Sequence, residues 1–214
     1  MEKKRILVFA SGGATGGGSG FQEMVEYSRT DPPVLPAKIC GVVSNHRGGG
    51  VYSRARQLDI PFRLFNGPFK VAEYKEVIRE FKPDLVMLSG WLKKVAGLCP
   101  AKTINIHPGP LPDFGGPGMY GHHVHEAVID AYKEKRIKQS AVTMHFVTEE
   151  YDEGPVFFRM PVLIRPDDTS ETLAKRVNEV ERAWQSYMVS LVLRGDIYLA
   201  NDKAHFRSGI SKFL

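Results

Sequence analysis

Residues 5–11 (RILVFAS) form a compact apolar run that gives way at once to a segment, residues 12–20, in which six of nine positions are glycine, and then to Phe21, Met24 and Val25 at helical spacing. Strand, glycine loop and helix in that order confine the chain to a small group of α/β architectures. Further short apolar or β-branched runs follow at residues 38–44 (KICGVVS), 62–65, 85–88 (LVML) and 103–106 (TINI), with helix-like stretches between most of them. One such stretch carries Val71, Tyr74, Val77, Ile78 and Phe81 on an i, i+3, i+4 stripe and ends before Pro83. Near-continuous apolar strands alternating with helices predict a buried, mostly parallel central sheet flanked by helices, the α/β class. Residues 141–147 and 156–164 read as strands without a helix between them, so the second half of the sheet is expected to be mixed. A last long helix is expected from near Asp168, with Asp168 and Glu171 in a capping relation, to a stop at Arg194-Gly195. Its stripe of Leu173, Val177, Val180, Trp184 and Leu191 is expected in the core, and the segment after Gly195 is expected to be peripheral.

At 214 residues the chain suits one domain, and one is expected over residues 1–214, because it holds no repeat and no long low-complexity linker. The Asp31-Pro32-Pro33-Val34-Leu35-Pro36 stretch breaks a helix without separating domains. With 43% hydrophobic and 25% charged residues the composition excludes disorder. A net charge of +5 favours anionic small molecules as much as nucleic acid, so charge selects no partner. Cys40 and Cys99 form no CxxC spacing, which argues against a disulfide framework or a cysteine zinc site. No apolar run approaches the roughly 18 residues of a membrane span, and the opening Met1-Glu2-Lys3-Lys4-Arg5 leads only into a short strand. An unprocessed cytoplasmic protein without a membrane partner is the expectation.

Three segments carry candidate chemistry. A side-chain-poor loop opening a helix presents backbone N–H groups and the positive end of the helix dipole to an anion, so phosphate is the natural guest of the glycine segment. Gly18-Ser19 stands where a nucleotide-binding G-x-x-x-x-G-K-[ST] loop needs its lysine, which argues against an ordinary NTPase; a flexible surface loop is the competing reading. In Asn105-Ile106-His107-Pro108, alternation along a strand puts Asn105 and His107 on one face at its carboxyl end, where ligands of open α/β sheets bind. An amide donor beside an imidazole suits a reaction in which charge builds on a carbonyl oxygen. The acidic turn Glu149-Glu150-Tyr151-Asp152-Glu153-Gly154-Pro155 reads as a solvated loop, or, if Asp152 folds back toward His107, as the carboxylate that sets the imidazole tautomer and raises its pKa. Five of the seven histidines, His107, His122, His123, His125 and His145, fall close together, but without HExxH spacing. No metal is expected; histidines at the entry of a helix whose inner face is Val124, Ala127, Val128 and Ala131 serve as caps or pocket walls.

Taken in order, N-I-H-P at 105–108, G-G-P-G-M-Y-G at 115–121 with Val124-His125, and H-F-V-T-E-E-Y-D-E-G-P at 145–155 resemble the phosphoribosylglycinamide formyltransferases, folate-dependent enzymes of purine synthesis, from Ile6 to about Leu193. The resemblance implies a Rossmann-like formyltransferase fold and transfer of a formyl group from 10-formyltetrahydrofolate to the primary amine of glycinamide ribonucleotide. It implies Asn105, His107 and Asp152 as the catalytic trio, with protonated His107 and Asn105 on the oxyanion and Asp152 supporting the imidazolium and placing a water. It implies acceptor contacts from Gly12, Gly13, Ala14, Thr15, Gly16, Asn178 and Glu181, and a pterin site along Trp91, Leu92, Lys93, Lys94 and Val95 with Val147, Thr148 and Glu149. The chain departs from the family in four places: Gly109-Pro110 replaces Ser-Leu after the histidine, Lys93 stands where many members have Arg, Asn178 replaces Gln or Lys, and the glycine loop is longer.

Related chemistries set the alternatives. A formyltetrahydrofolate deformylase would carry an extra N-terminal regulatory domain, for which a strand starting at Arg5 leaves no expected room. A methionyl-tRNA formyltransferase would add a C-terminal domain, and Lys203, Arg207 and Lys212 do not make the contiguous basic surface that nucleic acid needs. Another phosphorylated amine or a sugar nucleotide remains an alternative acceptor, and a binding module without catalysis is disfavoured by the joint presence of the trio. Small-molecule partners alone and a monomer or homodimer are expected.

Overall fold

In the computed structural model residues 3–14 and 16–210 are described; Thr15 and Lys212 lie outside the described residues. In chain order the elements are β1 (Lys4–Phe9), α1 (Ser19–Ser28), β2 (Ala37–Ser44), α2 (Gly50–Gln57), β3 (Phe62–Leu64), α3 (Val71–Phe81), β4 (Leu85–Ser89), β5 (Thr103–His107), α4 (His122–Lys133), β6 (Gln139–Phe146), β7 (Val156–Leu163), α5 (Ser170–Arg194), β8 (Ile197–Ala200) and β9 (Lys203–Phe206). Seven strands make one sheet in the order β3-β2-β1-β4-β5-β6-β7. Its first five strands are parallel, and β6 and β7 run antiparallel, the mixed half expected from two strand-like runs with no helix between them.

Side chains alternate across the sheet. Ile6 and Val8 of β1, with Ala10 just beyond it, pack with Phe21 and Met24 of α1, Val124 and Val128 of α4, and Leu173 and Val177 of α5. Leu7 and Phe9 face the other way, onto Tyr74, Val77 and Phe81 of α3 and onto Trp91. Each fully buried Leu, Ile or Phe among these contributes about 1.5–3 kcal/mol. Two faces of apolar residues explain why the parallel strands read as continuous runs rather than alternating ones. The α3 stripe departs from expectation at its start, where Val71 is exposed.

The chain first works outward from β1 to β3 through α1 and α2, then crosses the opposite face through α3 to place β4 against the free side of β1. Strand order therefore reverses between β1 and β4, the crevice where open α/β sheets bind ligands. Hydrogen bonds clamp the two loops leaving these strands: Ser11 N–H donates to Gly90 O at 2.9 Å and Leu92 N–H to the Ser11 hydroxyl Oγ at 2.9 Å.

Two expectations at the C-terminal end are corrected. The N-cap of α5 is Thr169, with Thr172 completing the capping box, not Asp168 with Glu171. Asp168 is otherwise engaged: Arg176 grips both its oxygens, at 2.6 and 2.8 Å, and Arg165 N–H and Thr172 Oγ1 donate to it. The segment after Gly195 is not merely peripheral. It forms the β8-β9 hairpin, turning at Asn201 and Asp202 with positive φ, and Ile197 is fully buried in the core.

The Arg176 side chain and its hydrogen bonds hold the Asp168 carboxyl well below the ordinary aspartate value. Because the folded pKa is depressed, this stabilisation is complete above the unfolded value near pH 4 and is lost as pH falls below it. Asp168→Asn is expected to cost about 2 kcal/mol at pH 7, the scale of hydrogen bonds to charged groups, and to lower the melting temperature by roughly 4–8 °C. Thermal melts at pH 7 and pH 3 check this; equal melting temperatures at pH 7 would show the bidentate pair to be dispensable.

Candidate active site

A cavity of about 570 Å³ opens at the carboxyl ends of β1, β4 and β5 and holds Asn105, His107 and Asp152 in its wall. Strand geometry delivers the first two, since β5 turns residues 105 and 107 to the same face. The antiparallel register of β6 sets His145 opposite Asn105 and so adds a second imidazole to that face. Asp152 enters from the turn after β6 with φ of 57°, a left-handed conformation that Asp tolerates better than most residues. Its Oδ1 lies 3.4 Å from Asn105 Nδ2, 3.7 Å from His107 Nδ1 and 3.5 Å from His145 Nε2. Its Oδ2 accepts the Gly116 N–H at 3.0 Å. The predicted trio thus meets around one carboxylate, joined by His145, which opens the 145–155 motif and belongs to the histidine cluster but is given no role by the sequence.

Partners assign the tautomers of both rings. A carbonyl only accepts, so His107 Nε2 carries its proton toward Phe114 O at 2.7 Å, and His107 Nδ1 presents its lone pair on the Asp152 side. By the same logic His145 Nδ1–H donates to Phe146 O at 2.9 Å, which turns Nε2 toward Asn105 Nδ2 at 3.1 Å and Asp152 Oδ1 at 3.5 Å. His145 is the brace that orients the Asn105 amide.

Protonation corrects one expectation. Burial pushes His107 below the ordinary histidine value and outweighs the nearby Asp152 carboxylate, which acts in the opposite direction; the resting imidazole is neutral at pH 7. Burial also works against the Asp152 charge, yet His145, His107 and the Gly116 N–H together keep its carboxyl below the usual range. In the free protein the His107 ring is expected to titrate below pH 6.5 by NMR, and Asp152→Asn to move that titration lower still, because the substitution removes the larger of the two influences raising it, the other being the Phe114 carbonyl. An upward shift in the variant would overturn this electrostatic account.

One end of the cavity is built by α1 and α5. Asn178, Glu181, Arg182 and Gln185 lie at i, i+3, i+4 and i+7 on α5 and all line it, opposite the start of α1, whose N-cap Gly18 is left-handed and whose first turn has no side-chain cap and no acidic residue. Asn178 Nδ2 donates to Glu181 Oε2 at 3.2 Å, and burial lifts the Glu181 carboxyl to about 7. The glycine wall here is Gly17, Gly18 and Gly20 with Ser19. Gly12, Gly13, Ala14 and Gly16 lie further back: Gly13 N–H donates to Gly16 O at 2.9 Å, and the fold is so close that a Cβ on Gly17 would lie 2.3 Å from Gly12 Cα. That packing makes the segment a built loop rather than a loose one.

The other end is a narrower pocket, about 50 Å³, between the 91–95 and 147–152 segments. Trp91, Lys93, Lys94 and Val95 face Val147, Thr148 and Glu149 across it, while Leu92 opens to the larger cavity. Lys94 Nζ bridges the two segments to Glu150 at 3.3 Å. Trp91, Asn105, Tyr151 and Asp152 belong to both spaces, so the polar cluster stands at their junction. His125 also lines the larger cavity, its buried Nδ1 without a hydrogen-bond partner and burial holding it near 4. His122 and His123 pair with carboxylates instead, and among the described residues no group of three or more His, Cys, Asp or Glu is arranged to hold a metal.

A mostly parallel sheet with its polar cluster at the switch point, where a large cavity meets a narrower pocket, suits an α/β group-transfer enzyme. Residues 4–189 match the family described as Formyl transferase, and the chain belongs to that family. Within it, the chain is 36% identical over 82% of its length to the Arabidopsis thaliana protein named phosphoribosylglycinamide formyltransferase, chloroplastic, of which it spans 60%. It is 28% identical over 89% of its length to phosphoribosylglycinamide formyltransferase of Bacillus subtilis, spanning 95% of that protein. The crystal structure of phosphoribosylglycinamide formyltransferase from Anaplasma phagocytophilum superimposes with a TM-score of 0.80 at 27% identity, covering 100% of this chain and 98% of its own.

Proposed function

We propose that the chain transfers the formyl group of 10-formyltetrahydrofolate to the primary amine of glycinamide ribonucleotide, as a step of purine synthesis. The observation that carries this reading is the sharing of Asn105 and Asp152 by two spaces of different character. One ends in an uncapped helix N-terminus and a carboxylate, suited to the phosphate and ribose of the acceptor. The other lies between an aromatic-bearing segment and an acidic turn, suited to the donor's pterin. The names of the relatives support the same acceptor.

In this mechanism the acceptor nitrogen attacks the formyl carbon, a C–N bond forms, and the carbonyl oxygen becomes an oxyanion. Asn105 donates to that oxygen, exchanging its weak 3.4 Å contact with Asp152 for a charged acceptor. His107 Nδ1, unprotonated at rest, takes the proton released by the attacking amine, and Asp152 stabilises the imidazolium. The bond from carbon to the folate nitrogen then breaks, and the proton returns to that nitrogen. Partners are the two small molecules alone, on a single-domain cytoplasmic monomer or homodimer working without metal.

The test is tetrahydrofolate release from 10-formyltetrahydrofolate with and without glycinamide ribonucleotide, with His107→Ala as blank. Release that requires the ribonucleotide supports the reading. Release without any amine replaces it with hydrolysis, and release that requires a different phosphorylated amine replaces the acceptor.

A further inference from the structure

The polar stripe of α5 holds a cation that the catalytic account leaves idle. Gln185 fixes the stripe against α1: its Nε2 donates to Gly20 O at 3.1 Å and its Oε1 accepts from Ser89 Oγ at 2.8 Å. One turn before it, Arg182 lines the cavity beside Gly17–Gly20, with its side chain half exposed and its Nε 3.6 Å from Oε1 of Glu23. Glu23 lies on α1, one turn in from the cavity's glycine wall. Its side chain is 8% exposed, and its Oε2 is buried without a hydrogen-bond partner.

An ionised carboxylate in that position is expensive unless it is well paired, and a single ion pair at 3.6 Å with one orphaned oxygen pairs it poorly. Arg182 from α5 favours the charge and Glu26 of the same helix opposes it; burial is the largest influence and lifts the carboxyl to about 7. On α2 the Arg54 guanidinium is engaged by Gln22 and by the Gly17 and Gly50 carbonyls. Glu23 therefore depends on Arg182 alone for its charge, while Arg182 stands beside an uncapped helix N-terminus that suits a dianion.

We propose that Arg182 is the side chain that takes the acceptor's phosphate and that Glu23 is its resting counter-ion. Binding exchanges carboxylate for phosphate at the guanidinium, and the abandoned Glu23 takes up one proton. Arg182 is a specificity-determining residue, and Glu23 is a positioning residue that acts through it. This rests on reading the cavity as the site of a phosphorylated acceptor. The sign follows from linkage: a group whose pKa rises on binding makes the ligand bind tighter below that raised value. Phosphate affinity falls as pH climbs above about 7, by up to about tenfold per unit. The phosphate itself ionises near 6 and lies outside that window.

Ribose 5-phosphate, which has no amine to titrate, is the probe. Calorimetry at pH 7.5 in two buffers of different ionisation enthalpy is expected to show net proton uptake in the wild type. In Glu23→Gln, which keeps shape and removes charge, uptake disappears and affinity at pH 8.5 exceeds that of the wild type, a gain that structural damage does not produce. Arg182→Met is expected to weaken binding about tenfold or more and also to abolish uptake. Glu181 titrates in the same range, so Glu181→Gln is the control. Uptake that persists in Glu23→Gln and vanishes in Glu181→Gln overturns the proposal, as does wild-type affinity in Arg182→Met. No binding in the wild type overturns it together with the phosphate reading of the cavity. Amine-dependent formyl transfer with an unchanged acceptor KM in Arg182→Met overturns the proposal alone.

Discussion

His107→Ala is expected to lower turnover by about 10²- to 10⁴-fold, the range in which a positioned acid–base group contributes, while the sheet and both ligand spaces persist. His107 is buried at the end of β5 and bonded to Phe114 O, so truncation leaves that carbonyl unpaired and costs about 1–3 kcal/mol of stability. Such a loss is small enough to keep the protein folded but large enough to confuse a single assay. The variant is therefore measured by kcat, by acceptor and donor KM, and by melting temperature together. A collapse of kcat with both KM values within a few-fold places His107 in the transition state rather than in ground-state binding. A variant that turns over at the wild-type rate removes His107 from the mechanism, and one that loses both KM values assigns it to the architecture. Asn105→Ala is expected to fall by a comparable amount, since one oxyanion donor is worth roughly 2.7–4 kcal/mol. Its loss also frees His145 Nε2, which the Asn105 amide now occupies.

Local chemistry made much of the fold readable. Apolar runs marked the seven sheet strands, most continuously the central ones that are covered on both faces, and the stripe of Tyr74, Val77 and Phe81 marked α3 because those residues pack under Phe9 and Trp91. Asn105 and His107 were legible for a similar reason: alternation pairs residues 105 and 107 without knowledge of anything distant, whereas Asp152 joined them only through the family resemblance. His145 was not, because its place opposite Asn105 depends on the β5–β6 register, which a long intervening segment sets. The phosphate end was half legible. Glycine content located the loop, but which glycines face the cavity depends on Gly13 and Gly16 lying back against Gly49 and Gly50, a contact between distant segments. Arg182 carried no signal of its own; it gains meaning only from Glu23 on another helix. The α5 cap was misjudged because Asp168 and Thr169 are both good caps, and only Arg176, eight residues on, decides between them by claiming the aspartate. The β8-β9 hairpin was the avoidable miss, since Asn201-Asp202 between short apolar runs is a turn signal.

Gly154→Ala is expected to disable the site from outside it. A Cβ at this position would lie 1.7 Å from Phe146 O and 3.3 Å from His145 Nδ1. Both obstacles belong to the end of β6, and the nearer is backbone, so no rotamer change relieves the clash. Either β6 gives up its bond from Phe146 N–H to Pro155 O, 3.0 Å long, or the turn 147–155 moves away as a unit. Overpacking of this kind typically costs 1–3 kcal/mol, and a backbone obstacle puts the expected loss at about 3 kcal/mol or more. The functional loss is larger than that figure suggests, because the moving turn carries Asp152, whose contacts with Asn105, His107 and His145 all lie between 3.4 and 3.7 Å. A shift of about 1 Å breaks all three at once, and misplacement on that scale costs roughly a hundredfold in rate. Activity is expected to fall at least as far as in Asp152→Ala, with donor KM rising as well, since the same turn walls the narrower pocket with Val147, Thr148 and Glu149. Circular dichroism and the melting transition establish that the variant folds, and the low-temperature rate is then compared with Asp152→Ala. A folded Gly154→Ala protein with wild-type kcat would show that Asp152 works without its fixed position, and the carboxylate would lose its place at the centre of the mechanism.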